Sequence, residues 1–259
     1  MRLLQFPESQ MTFDTAGWIV AGIAVLLTGI SKSGLGGAFG GLAVPFMSLW
    51  ITPGQAAAVM LPLLVFIDWI GIRAHWGKWD RQEIRLLLPA AALGMLVGSL
   101  VFGWMPEKAV KGCVGAIAAL FSLDRIFGLR ARLKLSGPPG RTMGLFWGAV
   151  SGFTSTIAHA GSPPLLVYLL NRGLPKSTFV ATTVIFFTAV NAVKIVPYIA
   201  LGLFSWETLK VSLLLAPVAP MGVWIGLKAL KRIPERAFYV FATAMLGLSG
   251  VKLLWDAFA

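Results

Sequence analysis

Two short stretches of this chain combine hydroxyls, bare backbone and a basic group inside otherwise apolar sequence. The first is Ser31-Lys32-Ser33-Gly34-Leu35-Gly36-Gly37, continuing to Gly41, with five glycines in the eight positions from Gly34. The second is Thr154-Ser155-Thr156-Ile157-Ala158-His159-Ala160-Gly161-Ser162, with hydroxyls and an imidazole. The N-termini of broken helices present unpaired N–H groups and a partial positive charge, so they receive anions well. Brought together at mid-depth, the two loops would form a small polar pocket suited to a compact oxyanion. Its expected contacts are Lys32, Ser33, Gly34, Gly36, Gly37, Thr154, Ser155, Thr156 and His159. Lys194, inside the apolar run 177–200, joins this set, with Asn191 one turn earlier on the same helix face. Charges at membrane depth are costly and usually face partners or water. Two alternatives stay open for Lys194: snorkelling to the helix end, or a structural ion pair with Asp68. Asp68 closely precedes Arg73 and His75 and reads as interfacial. With two histidines and one cysteine, the chain offers no metal-ligand set, and no cofactor is expected.

These residues need a membrane around them. Of the 259 residues 57% are hydrophobic and 12% charged, against about 45–50% and 25% in soluble domains. No charge occurs from Ser33 to Ile67, from Leu86 to Met105 or from Thr142 to Asn171. A hydrocarbon core about 30 Å thick takes about 20 apolar helical residues to cross, and several runs qualify. A soluble enzyme, a disordered chain and a disulfide-stapled domain are excluded. The net charge of +12 sits mostly in short loops, where the positive-inside bias explains it without nucleic acid. Residues 1–16 form a tail with no continuous apolar core, so the segment from Gly17 onward is expected to direct insertion. A serine hydrolase built on Ser151 and His159 is a remote alternative. The two lie eight residues apart on one broken segment, and triad chemistry needs a base oriented onto the hydroxyl. The chain reads as a non-enzyme.

Apolar runs fall near 17–31, 34–51, 55–73, 86–104, 109–127, 141–157, 160–171, 177–199, 209–230 and 237–256. A repeat runs through them: Met105-Pro106-Glu107-Lys108-Ala109 echoes Ile233-Pro234-Glu235-Arg236-Ala237, and Gly94 and Gly98 match Gly222 and Gly226. Two membrane halves, 17–128 and 141–259, flank a basic Gly/Pro linker at 129–140. Each opens on a segment that its small residues break, because adjacent glycines oppose helix at about 1 kcal/mol each. Residues 17–51 and 141–171 therefore read as re-entrant hairpins of two short helices, each followed by three crossings. Under that topology the basic residues divide fifteen to five between the two faces, with Lys32 and Lys194 at membrane depth. Making each opening segment a full crossing leaves the faces nearly balanced. The expected fold is thus an all-α polytopic membrane protein of two inverted repeats, with both termini on the non-cytoplasmic side.

The stretch Gly29–Pro45 (GISKSGLGGAFGGLAVP) and its second-half partner Gly148–Pro164 resemble the paired signatures of the TauE/SafE sulfite-exporter family. The run Ala181-Thr182-Thr183 followed by Asn191, Lys194 and Tyr198 is similar to that family's second half. The resemblance implies a permease of the bacterial inner membrane that exports sulfite, organosulfonates or related sulfur anions. It implies driving by an ion gradient, H+ or Na+, and a substrate region at the glycine loops, here Gly34, Gly36 and Gly37. The expected partners are therefore a small sulfur anion, a coupling ion and the lipid bilayer, with no nucleic acid; a homodimer is compatible. Where the family often repeats glycines in the second loop, this chain carries Thr154, Ser155, Thr156 and His159, so the anion stays open. Import of another small anion through the same fold is the alternative.

Overall fold

The computed structural model describes residues 13–37, 43–101, 106–127, 140–158, 160–200 and 202–258. Among them every regular element is helical. The first half contains α1 (Thr15–Gly34), α2 (Ala43–Met47), α3 (Pro53–Ala74), α4 (Arg81–Leu100) and α5 (Glu107–Phe127). The second contains α6 (Arg141–Ala158), α7 (Ser162–Leu169), α8 (Lys176–Ala200), α9 (Trp206–Leu215), α10 (Val218–Arg232) and α11 (Glu235–Phe258). The helix starts are written in the sequence. The Asp14 carboxylate accepts from the Gly17 amide at 2.6 Å, and Asp80 caps α4 through the Gln82 and Glu83 amides. Thr52 and Gln55 close a capping box on α3 with Pro53 in its first turn, where a missing N–H costs nothing.

Five described helices are long and apolar enough to cross a membrane: α1, α3, α4, α8 and α11. A sixth span results if α9 and α10, bent by 46°, count as one. The run expected as one helix over 209–230 is thus two pieces. Pro217 at the start of α10 and Pro220 one turn in supply no N–H groups to bridge the break.

The opening segments are hairpins, with one difference from expectation. In the first, α1 is a full 20 residues and α2 only five, and in the second α6 has 18 and α7 eight, so neither is the pair of short helices expected. The Ser33 hydroxyl donates to the Gly29 carbonyl at 2.6 Å, so α1 holds its helix through Lys32 and ends only at Gly34. Gly36 and Gly37, both at positive φ, then turn the chain, and the Gly37 amide donates back to the Ser31 carbonyl at 2.9 Å. By Trp50 the chain is back beside Gly17, where an added Cβ would lie 3.1 Å from the indole. In the second hairpin, α7 likewise returns alongside α6, so that an added Cβ on Gly144 would lie 2.8 Å from the Tyr168 hydroxyl.

Small residues set the helix pairing. α1 packs on α10 in the same direction, Gly29 against Gly222 and Ser33 against Val223 and Gly226. α4 packs on α6 likewise, Leu87 against Gly148 and Ala91 against Gly152. α5 and α11 run oppositely, with Gly112 beside Ala257 and Ser122 beside Gly247. α3 and α8 also run oppositely: Gly71 meets Val184, Asp68 meets Asn191, and Leu61 meets Tyr198. Without a hydrophobic drive between helices in lipid, such close backbone approach supplies the dispersion energy that holds them. The long hairpin arms α1 and α6 are therefore clasped by α10 and α4. The outward faces carry Leu49, Leu100, Leu213, Trp206 and Trp255, all largely exposed, as lipid contact requires.

Candidate functional site

The hairpin tips of α1 and α6 meet the middle of α3 and α8 around a cavity of about 40 Å³. A single water needs about 10–15 Å³ by the same measure, so the space suits a few waters or one compact oxyanion. Its polar lining is Lys32, Gly37, Ser155, Gly161, Ser162, Asn191 and Lys194; Ala43, Val44, Met60, Leu64 and Phe187 complete the wall.

Charge is concentrated here in a small volume. Lys32 Nζ lies 2.5 Å from Asp68 Oδ1, and the two side chains are 6% and 1% exposed. Asn191 Nδ2 donates to the other carboxylate oxygen at 2.8 Å. Lys194, 3% exposed, donates to Ser155 Oγ at 3.1 Å. Among the described residues no carboxylate lies within ion-pair distance of it. The cluster thus holds two ammonium groups against one carboxylate. Lys32 also sits 5.8 Å from the centre of the Phe187 ring, a cation–π placement.

Secondary contacts fix these groups. Lys32 occupies the last turn of α1, where the helix dipole favours a cation. His75, just past α3, donates from Nε2 to the Ser33 carbonyl at 3.0 Å and ties the two helix ends together. Burial pushes its imidazole below the ordinary value, with the Ser33 contact working against that. At the mouth of the second hairpin, Glu83 accepts from Arg172 Nε at 2.5 Å and from the Tyr168 hydroxyl at 2.8 Å. Lys176 donates to the Leu230 and Ile233 carbonyls at 2.8 and 2.5 Å, closing the end of α10.

The expected residues divide in two. Lys32, Gly37, Ser155, Asn191 and Lys194 line the cavity. Ser33, Gly34, Gly36, Thr154 and Thr156 shape the backbone around it. Ser33 donates to the Gly29 and Val223 carbonyls, and Gly34 lets α1 touch Gly226, whose Cα would lie 2.7 Å from an added Cβ. Gly36 makes room for the Phe179 ring. Thr154 donates to the Val150 and Ala160 carbonyls at 2.8 and 3.0 Å, and Thr156 to the Gly152 carbonyl at 3.0 Å. His159 lies outside the described residues. Ser151 donates to the Gly161 carbonyl at 2.7 Å and so closes the second hairpin.

Two expectations are corrected. Asp68 is buried rather than interfacial, because α3 runs on past it for almost two turns to Ala74. Its ion partner is Lys32 and not Lys194. Gly161 and Ser162, part of the expected second loop but outside its contact set, also line the cavity, and Phe187 is a lining residue outside both loops. Phe187 carries no chemical signal in the sequence, whereas Asp68 had one as the first carboxylate after the charge-free run.

Crossing-length apolar helices and two hairpins around a cavity lined by buried charged side chains define a polytopic membrane protein. The family model described as sulfite exporter TauE/SafE matches residues 21–253. The chain belongs to that family of membrane permeases. No curated protein and no solved structure matches it.

Proposed function

We propose that the protein is a secondary transporter that exports sulfite or an organosulfonate across the inner membrane, with the central cavity as its substrate site. The observation that carries this reading is the excess of cation over carboxylate in a buried space of oxyanion size. An unbalanced buried charge is expensive, and a small anion beside Lys194 relieves it. Ser155, Asn191 and the Ser162 amide supply donors that replace lost water. Pro163 and Pro164 have no N–H to offer, so the first turn of α7 contributes little more.

The two halves act as inverted repeats, 17–128 and 141–259, joined by the basic linker, with both termini on the non-cytoplasmic face. The opposed directions of α3 and α8 and of α5 and α11 support this, as does the gathering of basic residues at one end. The test is flux of radiolabelled sulfite in proteoliposomes. Lys194→Met is expected to cut it at least tenfold in protein that elutes as folded, and Lys210→Met, on the exposed side of α9, to leave it intact. Wild-type flux in Lys194→Met removes the cavity as the substrate site.

A further inference from the structure

The cluster's charge count has a consequence for which species can enter and with what. Lys32 is neutralised by Asp68 at 2.5 Å, while among the described residues the hydrogen bonds of Lys194 go to the Ser155 hydroxyl and carbonyl. The charged groups acting on Asp68 are Lys32 from α1 and Lys194 from α8, with Asn191 as its hydrogen-bond donor. Among the described residues α2, α9 and α10, which also pack on α3, set no charge against it. His75, on Asp68's own side of the bundle, is engaged with the Ser33 carbonyl. One negative charge therefore balances the cavity as it stands. A second finds no further cation among the described residues.

We infer that Asp68 is the proton-carrying partner of the substrate: a monoanion binds with Asp68 ionised, and a dianion binds only together with one proton on Asp68, taking over Lys32 as its second cation. The proton comes from bulk water and is released to it when the anion leaves. No bond other than that O–H forms or breaks. Buried charge must be paired, and both occupied states leave the cavity neutral. The inference rests on the reading that this cavity holds the transported anion.

Two probes of fixed charge separate the cases, thiosulfate as dianion and methanesulfonate as monoanion. Binding to the purified protein in detergent is read by thermal shift between pH 6 and 8, and proton uptake by a dye in weakly buffered solution. For wild type, thiosulfate is expected to take up about one proton and to weaken about tenfold per pH unit, the slope of one linked proton. Methanesulfonate is expected to take up none and stay flat. In Asp68→Asn, thiosulfate binding becomes flat without proton uptake. Lys194→Met gives an independent reading that holds even if Asp68→Asn does not fold. With one cation removed, a monoanion exceeds the balance, so methanesulfonate acquires an uptake of about one proton.

Proton uptake by neither probe in wild type, or unchanged uptake in Asp68→Asn, overturns the inference while leaving anion transport standing. Methanesulfonate binding to Lys194→Met without a proton overturns it as well. Failure of wild type to bind either probe removes the transport reading itself, and the inference with it.

Discussion

The Lys32–Asp68 pair can be weighed by a double-mutant cycle of Lys32→Met and Asp68→Asn. At 2.5 Å and an effective dielectric near 20, the gross attraction is about 6–7 kcal/mol. Most of it is offset by taking both groups out of water, so a buried pair contributes little net stability. The asymmetry lies in the single variants. Lys32→Met leaves a carboxylate that is 1% exposed without its ion partner, supported by the Asn191 amide and the more distant charge of Lys194, and the expected loss is about 3–5 kcal/mol. Asp68→Asn leaves two buried ammonium groups close together and is expected to cost a similar amount. The double variant removes one charge of each sign, keeps an oxygen for Asn191, and is expected within about 2 kcal/mol of wild type. The coupling energy is then at least about 3 kcal/mol. The assay is reversible unfolding in mixed micelles by SDS titration, followed by tryptophan fluorescence. Additive losses, with the double variant as unstable as the sum of the singles, refute the assignment of a buried ion pair.

Two further perturbations address the scaffold. Gly226→Ala puts a Cβ 2.6 Å from the Ile30 carbonyl oxygen and 3.0 Å from its Cα, so α1 and α10 must separate. The expected loss is about 1–3 kcal/mol despite alanine's better helix propensity, whereas Gly22→Ala, with nothing within 4 Å, is expected to be neutral or mildly stabilising; thermal midpoints of the two decide. His75 gives the pH dependence. Its native imidazole is held below the ordinary value by burial, so the unfolded chain takes up the proton first, near pH 6.5. The stability of neutral His75 is intact above that pH and drains away as the pH falls toward the lower native value. A falling thermal midpoint from pH 7 to 5 that flattens in His75→Gln is the expected result, and an equal slope in both proteins counts against it.

The crossing helices were legible because their signal is local: apolar runs of crossing length. The two hairpins were legible from glycines and hydroxyls that have no place in a continuous span. What escaped depended on three-dimensional register. Thr154 and Thr156 have the chemistry of ligands, yet their hydroxyls reach carbonyls of their own hairpin, a choice fixed by helix geometry. Asp68 read as interfacial because Arg73 follows it closely. The remaining turns of α3 and the approach of Lys32 and Asn191 from other helices bury it. Phe187 became a wall of the cavity only through the packing of α8.

The clasp of α1 by α10 bears on how the protein is made. The Ser33 hydroxyl reaches the carbonyl of a residue 190 positions further on, so the groove that receives α1 leaves the ribosome almost last. Until then the newborn helix holds a glycine stripe and a lysine without their final neighbours; Asp68 arrives with α3, but the stripe must wait for nearly the whole chain. Insertion of α1 and completion of its packing are therefore separated by most of the chain's synthesis. Helices made early and helices made late are thus each other's missing surface.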